Sequence, residues 1–315
     1  MGKRTILLLV LFLALIFVYW LARSREPVVK EDRPFIEVDS AAVNRLAIVY
    51  GRDSVSLGRR DDGWWVEYPI QYPAIQRMVG DAVGKLGGMN IESLITDSPE
   101  NFAKYEVDEV GVRVHVFQEK AAKPVGFIVG KNASDYQHTY LRRIGENDVW
   151  LVKGSYRSAV AKSLKDWRDR TITDLPMDSV KRVEIVYPKE TITLAWEDSV
   201  WKVRAAGKSF EGDKPLVDRL LRLLCKLSTV DFLDTLGTVS FASPEAIIRA
   251  QLAGHEPLEV KLVPLDESAE KYVLEKTGTR THFIIYKATA TTLMKRAEDF
   301  RSEAKAKKEE MLKKK

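Results

Sequence analysis

Residues Val43 to Val66 read VNRLAIVYGRDSVSLGRRDDGWWV, and Val180 to Val203 read VKRVEIVYPKETITLAWEDSVWKV. Laid over one another without a gap, Val43, Arg45, Ile48, Val49, Tyr50, Asp61, Trp64 and Val66 recur as Val180, Arg182, Ile185, Val186, Tyr187, Asp198, Trp201 and Val203. Composition alone would give roughly one or two such coincidences over this window, so a duplicated structural unit is the economical reading. A duplicated unit must bury two similar cores. Residues shared by both copies are therefore explained by packing first, and by chemistry only afterwards.

Each copy opens with alternating apolar residues, Leu46, Ile48 and Tyr50 in the first and Val183, Ile185 and Tyr187 in the second. Ser54 to Leu57 and Thr191 to Leu194 alternate likewise, and the strands of Trp64 and Trp201 follow after a turn. This spacing predicts an antiparallel meander with one apolar face and one wet face. A helix comes next. Ile75, Val79, Ala82, Val83 and Leu86 form one apolar stripe, set against Leu216, Leu220, Leu223, Leu224 and Leu227 in the second copy. Asp213 ahead of Pro215 reads as an N-cap, and Tyr72-Pro73 as the entry to the first helix.

Apolar connectors (Ile91 to Ile95, Val230 to Leu236) and a Ser-Pro-Glu segment (98–100, 243–245) separate each helix from a second sheet section. That section comprises Val112 to Phe117, Val125 to Val129, Thr139 to Arg143 and Val149 to Val152 in the first copy. Its counterparts are Leu258 to Val263, Lys271 to Glu275 and His282 to Tyr286. Tyr140-Leu141-Arg142 is aligned on Tyr272-Val273-Leu274, and the copies end at Trp167-Arg168 and Phe300-Arg301. The expected fold is α+β: two tandem repeats of an antiparallel sheet packed with helices, over 36–174 and 175–301, preceded by one N-terminal transmembrane helix within 1–25. A charged tail occupies 302–315.

The anchor rests on Ile6 to Ala22, an uncharged run preceded by Lys3 and Arg4. Its length, about 25 Å as a helix, is at the short end of what spans a bilayer core. A cleaved signal peptide is the competing reading, but the run leaves through bulky Phe17-Val18-Tyr19-Trp20-Leu21, and Tyr19 and Trp20 suit the headgroup level of a retained helix. The expectation is a single-pass membrane protein, amino end inside, with its body exported. The bilayer is then its first partner. A composition of 45% hydrophobic and 30% charged residues suits folded domains, and a net charge of +5, much of it in the tail, is no footprint for nucleic acid.

The residues that bear chemistry are few. Cys225 is the only cysteine, so neither a disulfide framework nor a multi-cysteine metal site can form within the chain. His115, His138, His255 and His282 are far apart and show no metal-ligand spacing, so a metal would need ligands brought together by the fold. No Gly-x-Ser-x-Gly elbow occurs, and Gly126 to Asn132 has the wrong glycine spacing for a phosphate loop. Asp166 and Asp169 read as members of local ion pairs at a helix end. No catalytic, cofactor-binding or metal residue is expected. Trp64 and Trp201 read as core. Trp65 stands opposite Lys202 in the alignment and faces the other side of its strand, which makes it the candidate for partner contact.

The N-terminal anchor, the meander with its tryptophans, the strand ending at Gly130 before Tyr140-Leu141-Arg142, the strand Val149-Trp150-Leu151-Val152 and the Trp167-Arg168-Asp169 helix end together resemble a bacterial family, domain of unknown function 4340. The resemblance implies a single-pass envelope protein that accompanies ABC-type transport components of the kind associated with gliding motility. It carries no catalytic residues to transfer. The second copy lacks a clear glycine before Tyr272, so anything that depends on Gly130 exists once. The functional expectation is a non-enzymatic, envelope-facing accessory or scaffold subunit of such a transport assembly. The alternative is an exported module that binds a glycan, lipid or peptide in the cleft between repeats.

Overall fold

The alternating residues of both meanders turn their apolar side inward, as a period of two requires. In the computed structural model, which describes Phe12 and residues 14–17, 33–237 and 239–301, Leu46, Ile48, Val55, Leu57, Trp64 and Val66 are buried, as are Val183, Ile185, Ile192, Leu194, Trp201 and Val203. The chain divides into two compact units, one ending at Asp169 and the next beginning at Arg170. Each contains a single antiparallel sheet with few helices, so the class is mostly-β α+β.

The first unit contains strands β1 (Val43–Tyr50), β2 (Asp53–Arg60), β3 (Gly63–Tyr68), β4 (Tyr72–Pro73), β5 (Ile91–Thr96), β6 (Val112–Gln118), β7 (Val125–Asn132), β8 (His138–Arg143) and β9 (Val149–Lys153), with helix α1 (Gln76–Leu86). They form a nine-stranded sheet in the order β4-β3-β2-β1-β6-β7-β8-β9-β5. The second unit contains β10 (Val180–Val186), β11 (Thr191–Glu197), β12 (Val200–Ala205), β13 (Lys208–Glu211), β14 (Asp231–Leu233), β15 (Ala246–Leu252), β16 (Leu258–Pro264), β17 (Lys271–Lys276) and β18 (His282–Tyr286), with helix α2 (Lys214–Cys225). Its order, β13-β12-β11-β10-β15-β16-β17-β18-β14, repeats the first strand for strand. One bulge matches as well: the ladders of β1 with β6 and of β10 with β15 shift register at Val43/Arg45 and Val180/Arg182.

Both units are closed by the same backbone latch. Ile75 N donates to Trp167 O and Asp213 N to Phe300 O, each at 2.8 Å, while Ala74 N and Gly212 N donate to Trp64 O and Trp201 O. Trp167 and Phe300 are buried, and Arg168 and Arg301 stack over Tyr72 and Phe210, at 4.7 and 4.0 Å from the ring centroids. The opening segments match as well, with Pro34 bridging Asn90 and Thr171 bridging Ser228. Residues 170–174, which the sequence alignment leaves in the first copy, thus pack as the start of the second.

Several alignments from sequence shift in the structure. The latch pairs Ile75 with Asp213, so Val79, Ala82, Val83 and Leu86 match Val217, Leu220, Leu221 and Leu224, all buried, rather than residues three further on. Leu141 pairs with Val129 and Trp150 as Leu274 pairs with Leu262 and Phe283, which matches Leu141 to Leu274. Tyr140 and Tyr272 then lie on opposite faces of their sheets, because a slip of one residue turns every side chain over. Tyr72-Pro73 forms strand β4, not the entry to a helix. The apolar connectors are the outer strands β5 and β14, and β15, which was not anticipated, is the counterpart of β6. The two Ser-Pro-Glu segments are unrelated: Pro99 opens a 3₁₀ turn, whereas Glu245 leads into β15 and donates its N–H to Leu262 O.

Among the described residues no helix is long and apolar enough to cross a membrane. The Ile6 to Ala22 run lies largely outside the described residues, and the tail from Ser302 wholly so.

Candidate interaction surfaces

The outward faces of the two sheets show where the duplicated units part company. Across the first sheet runs the row Pro73, Trp65, Gly58, Arg45, Phe117, each residue directly opposite the next. The matching row of the second is Glu211, Lys202, Ala195, Arg182, Gln251. A parallel row reads Ser56, Ala47, His115, Gly126 in the first sheet and Thr193, Glu184, Arg249, Glu259 in the second. One face is small side chains between aromatic and arginine groups, and the other is a ladder of opposite charges.

Trp65 sits on the outward face of β3 and is half-buried rather than free. Its Nε1 donates to Asp62 Oδ1 at 2.8 Å, and the Arg60 guanidinium lies 4.5 Å from its ring centroid. Arg60 is steered in turn by Glu67 and Gln71, so the indole is braced. Two strands away the Arg45 guanidinium lies 3.8 Å from the Phe117 centroid. The face therefore carries two arginine–aromatic stacks, with the Glu67 carboxyl lying over Gly58 between them. Sequence reasoning found Trp65 and overlooked Arg45 and Phe117, although the alternation about Leu46 and Val116 would have turned both outward.

On the second sheet, Arg182 is bonded to Glu184 and Arg249 Nε to Glu259 Oε2 at 2.6 Å. These four side chains line a cavity of about 340 Å³ with Pro257 and Leu258. Glu197 is held below the usual carboxylate range by its bonds from Arg204, and Lys261 above the usual lysine range by its bond to Glu275. These are neighbouring charges satisfying one another across strands in contact with solvent, which screens them.

The remaining sequence candidates are placed as follows. Asp166 accepts from Ser163 N and Oγ at 3.1 and 2.7 Å, capping its helical turn. The histidines stay apart, and among the described residues no cluster of three or more His, Cys, Asp or Glu side chains is arranged to hold a metal ion. His282 stacks on Phe241, and His138 bonds to two carboxylates. Cys225 is buried, which pushes its thiol pKa up despite Lys226, so the sulfur is a protonated apolar group. Gly130 is tightly covered. A Cβ there would lie 2.3 Å from Tyr105 O and 2.7 Å from Val107 Cγ1, so its lack of a side chain lets the 102–107 segment lie across the sheet. That segment roofs a small outward cluster of Val107, Ile128 and Val149 with Phe102, Tyr105 and Tyr140. At the matching position the second unit carries Val263.

No curated protein and no solved structure matches the chain. The family model described as a domain of unknown function, DUF4340, matches residues 64–247, from β3 of the first unit to β15 of the second, and the chain belongs to that family.

Proposed function

We propose that the protein is a non-enzymatic accessory or scaffold subunit of a membrane transport assembly of the ABC type. In this reading the apolar run Ile6 to Ala22 anchors it in the bacterial inner membrane, and both units lie on the exported side. The observation that carries the proposal is the divergence of the outward rows. Two units share one topology and latch, yet only the first replaces a charge ladder with braced arginine–aromatic stacks at Trp65 and Phe117. Tryptophan, tyrosine and arginine are the residues that concentrate binding energy at protein interfaces, and a braced indole loses little side-chain entropy on binding.

The test is crosslinking of the full-length protein in native membranes. Wild type should capture a membrane-protein partner, Trp65→Asp should capture at least tenfold less, and Lys202→Asp, at the matching place in the second unit, should capture as much as wild type. Circular dichroism and thermal melting check that the variants fold. Failure of the wild type to yield any membrane-protein partner, or turnover of an envelope substrate by the purified protein, overturns the proposal. The second reading, an exported module that captures a glycan, lipid or peptide, draws on the cavity beside Arg182 and Arg249. Loss of envelope-ligand capture in Arg249→Ala, with crosslinking unaffected by Trp65→Asp, favours that reading.

A further inference from the structure

His138 begins β8, and its side chain is 16% exposed. Its two ring nitrogens meet carboxylates from different elements. Nδ1 is 2.5 Å from Asp135 Oδ2, in the turn between β7 and β8. Nε2 is 2.5 Å from Glu92 Oε2, on the outer strand β5. A carboxylate only accepts, and a neutral imidazole has one N–H, so both bonds exist together only when the ring is an imidazolium. The Asp135 carboxylate is itself held in place, since its Oδ1 accepts from the backbone of Gln137 and His138 at 2.9 and 3.2 Å.

Strand β5 is where such a tether matters. Among the named strands it pairs with β9 alone, its start is also held where Ile91 N donates to Arg33 O, and its register breaks between Ile91 and Ser93 and again between Leu94 and Thr96. Glu92 lies in the first break, where the backbone ladder is interrupted. An edge strand with so broken a ladder opens more readily than the sheet interior.

From this geometry we infer that His138 is a proton-operated clamp, tying β5 to the β7–β8 turn while the imidazolium is charged and releasing it on deprotonation. Charged and titratable groups on the elements beside it include Lys153, its cross-strand partner on β9, Lys131 on β7, and Tyr140 further along β8 with Tyr105 and Lys104 beside that tyrosine. Burial opposes the charge on the ring, but the bonds to Asp135 and Glu92 and their field outweigh it and set the imidazole pKa above its ordinary value. Asp135 is held below the usual carboxylate range, first by the Gln137 N–H and then by His138.

The signs follow from linkage. The histidine contribution is complete below the ordinary imidazole pKa and is lost as pH rises through the raised one. The Asp135 contribution is present above the ordinary carboxylate pKa and is lost as pH falls through the lowered one. The clamp is closed between these limits. The second unit has no equivalent, because the register that matches Leu141 to Leu274 and Leu94 to Phe232 puts Lys271 at the place of His138 and Val230 at that of Glu92. Only the first sheet is built to loosen its edge as the pH rises.

The experiment follows the full-length protein, labelled with ¹⁵N-histidine, by NMR through the His138 titration. Amide hydrogen exchange of β5, corrected for intrinsic rates, is measured alongside. Exchange in β5 should speed as His138 loses its proton, by about tenfold for each pH unit through which the clamp raises the imidazole pKa, while β14 shows no such step. Glu92→Gln should lower the His138 midpoint and remove the step, and His138→Gln should remove the step outright. Should His138→Gln fail to fold, Glu92→Gln at the half-exposed strand position still decides. A midpoint at or below the ordinary histidine value, or a step in β5 that Glu92→Gln leaves unchanged, overturns the inference.

Discussion

Replacing Trp167 by alanine should unfold the first unit's latch, and the structure sets the size of the loss. The residue has 0% exposure and is among the largest fully buried side chains. An indole removes about 150–250 Å² from water, which at about 25 cal/mol per Å² corresponds to roughly 4–6 kcal/mol as an upper estimate. Large aromatic truncations in cores cost about 3–5 kcal/mol once partial collapse is included. One term acts the other way. The buried Nε1 finds no acceptor among the described residues, and removing an unsatisfied N–H relieves roughly 1 kcal/mol or more. The expected loss for Trp167→Ala is therefore about 2–4 kcal/mol. Trp167→Phe keeps most of the ring and discards the orphan donor, so it should cost less than about 1.5 kcal/mol. Hydrogen exchange read by mass spectrometry assigns the effect, since peptides from 43–66 should lose protection and those from 180–203 should keep it. A loss below about 1 kcal/mol for alanine, or phenylalanine as damaging as alanine, would refute the assignment of Trp167 as the packed keystone of that unit.

Gly130→Ala should cost about 1–3 kcal/mol and expose Phe102 and Tyr105, because its Cβ meets the backbone oxygen of Tyr105. Limited proteolysis within 97–110 would report the lifted segment, and unchanged cleavage would count against the contact. Tyr72 and Tyr187 each have a phenol pKa pushed up to about 12, chiefly by burial, with Arg168 and Arg296 pulling the other way. A raised folded pKa means that their stabilisation is complete below the ordinary value of 10.0 and is lost as pH rises toward about 12. Denaturant midpoints should accordingly fall across that range, and Tyr187→Phe should flatten the fall.

Much of the architecture was legible because burial imposes its period on the chain. Trp64 and Trp201 could be placed in cores, and the two copies recognised, because a strand fixes each side chain's face by parity. The stripe of the first helix follows from its period, whereas the alignment of the second three residues out takes half-buried Leu216 and Leu223 for core in place of Val217 and Leu221, since adjacent turns of a leucine-rich helix offer nearly the same apolar stripe. Only the backbone bonds from Ile75 to Trp167 and from Asp213 to Phe300 separate the two registers.

The sequence by itself determined the duplication, the wet-and-dry alternation and the outward direction of Trp65, all of which depend on neighbours a few residues apart. Tertiary structure alone decided that β5 and β14 cross to the far edge of their sheets, that Arg45 meets Phe117, and that His138 stands between Asp135 and Glu92. The physical reason is range. Local periodicity records which face of an element is buried, whereas hydrogen bonds and stacks between residues distant in the chain exist only once strand order and register have brought them together.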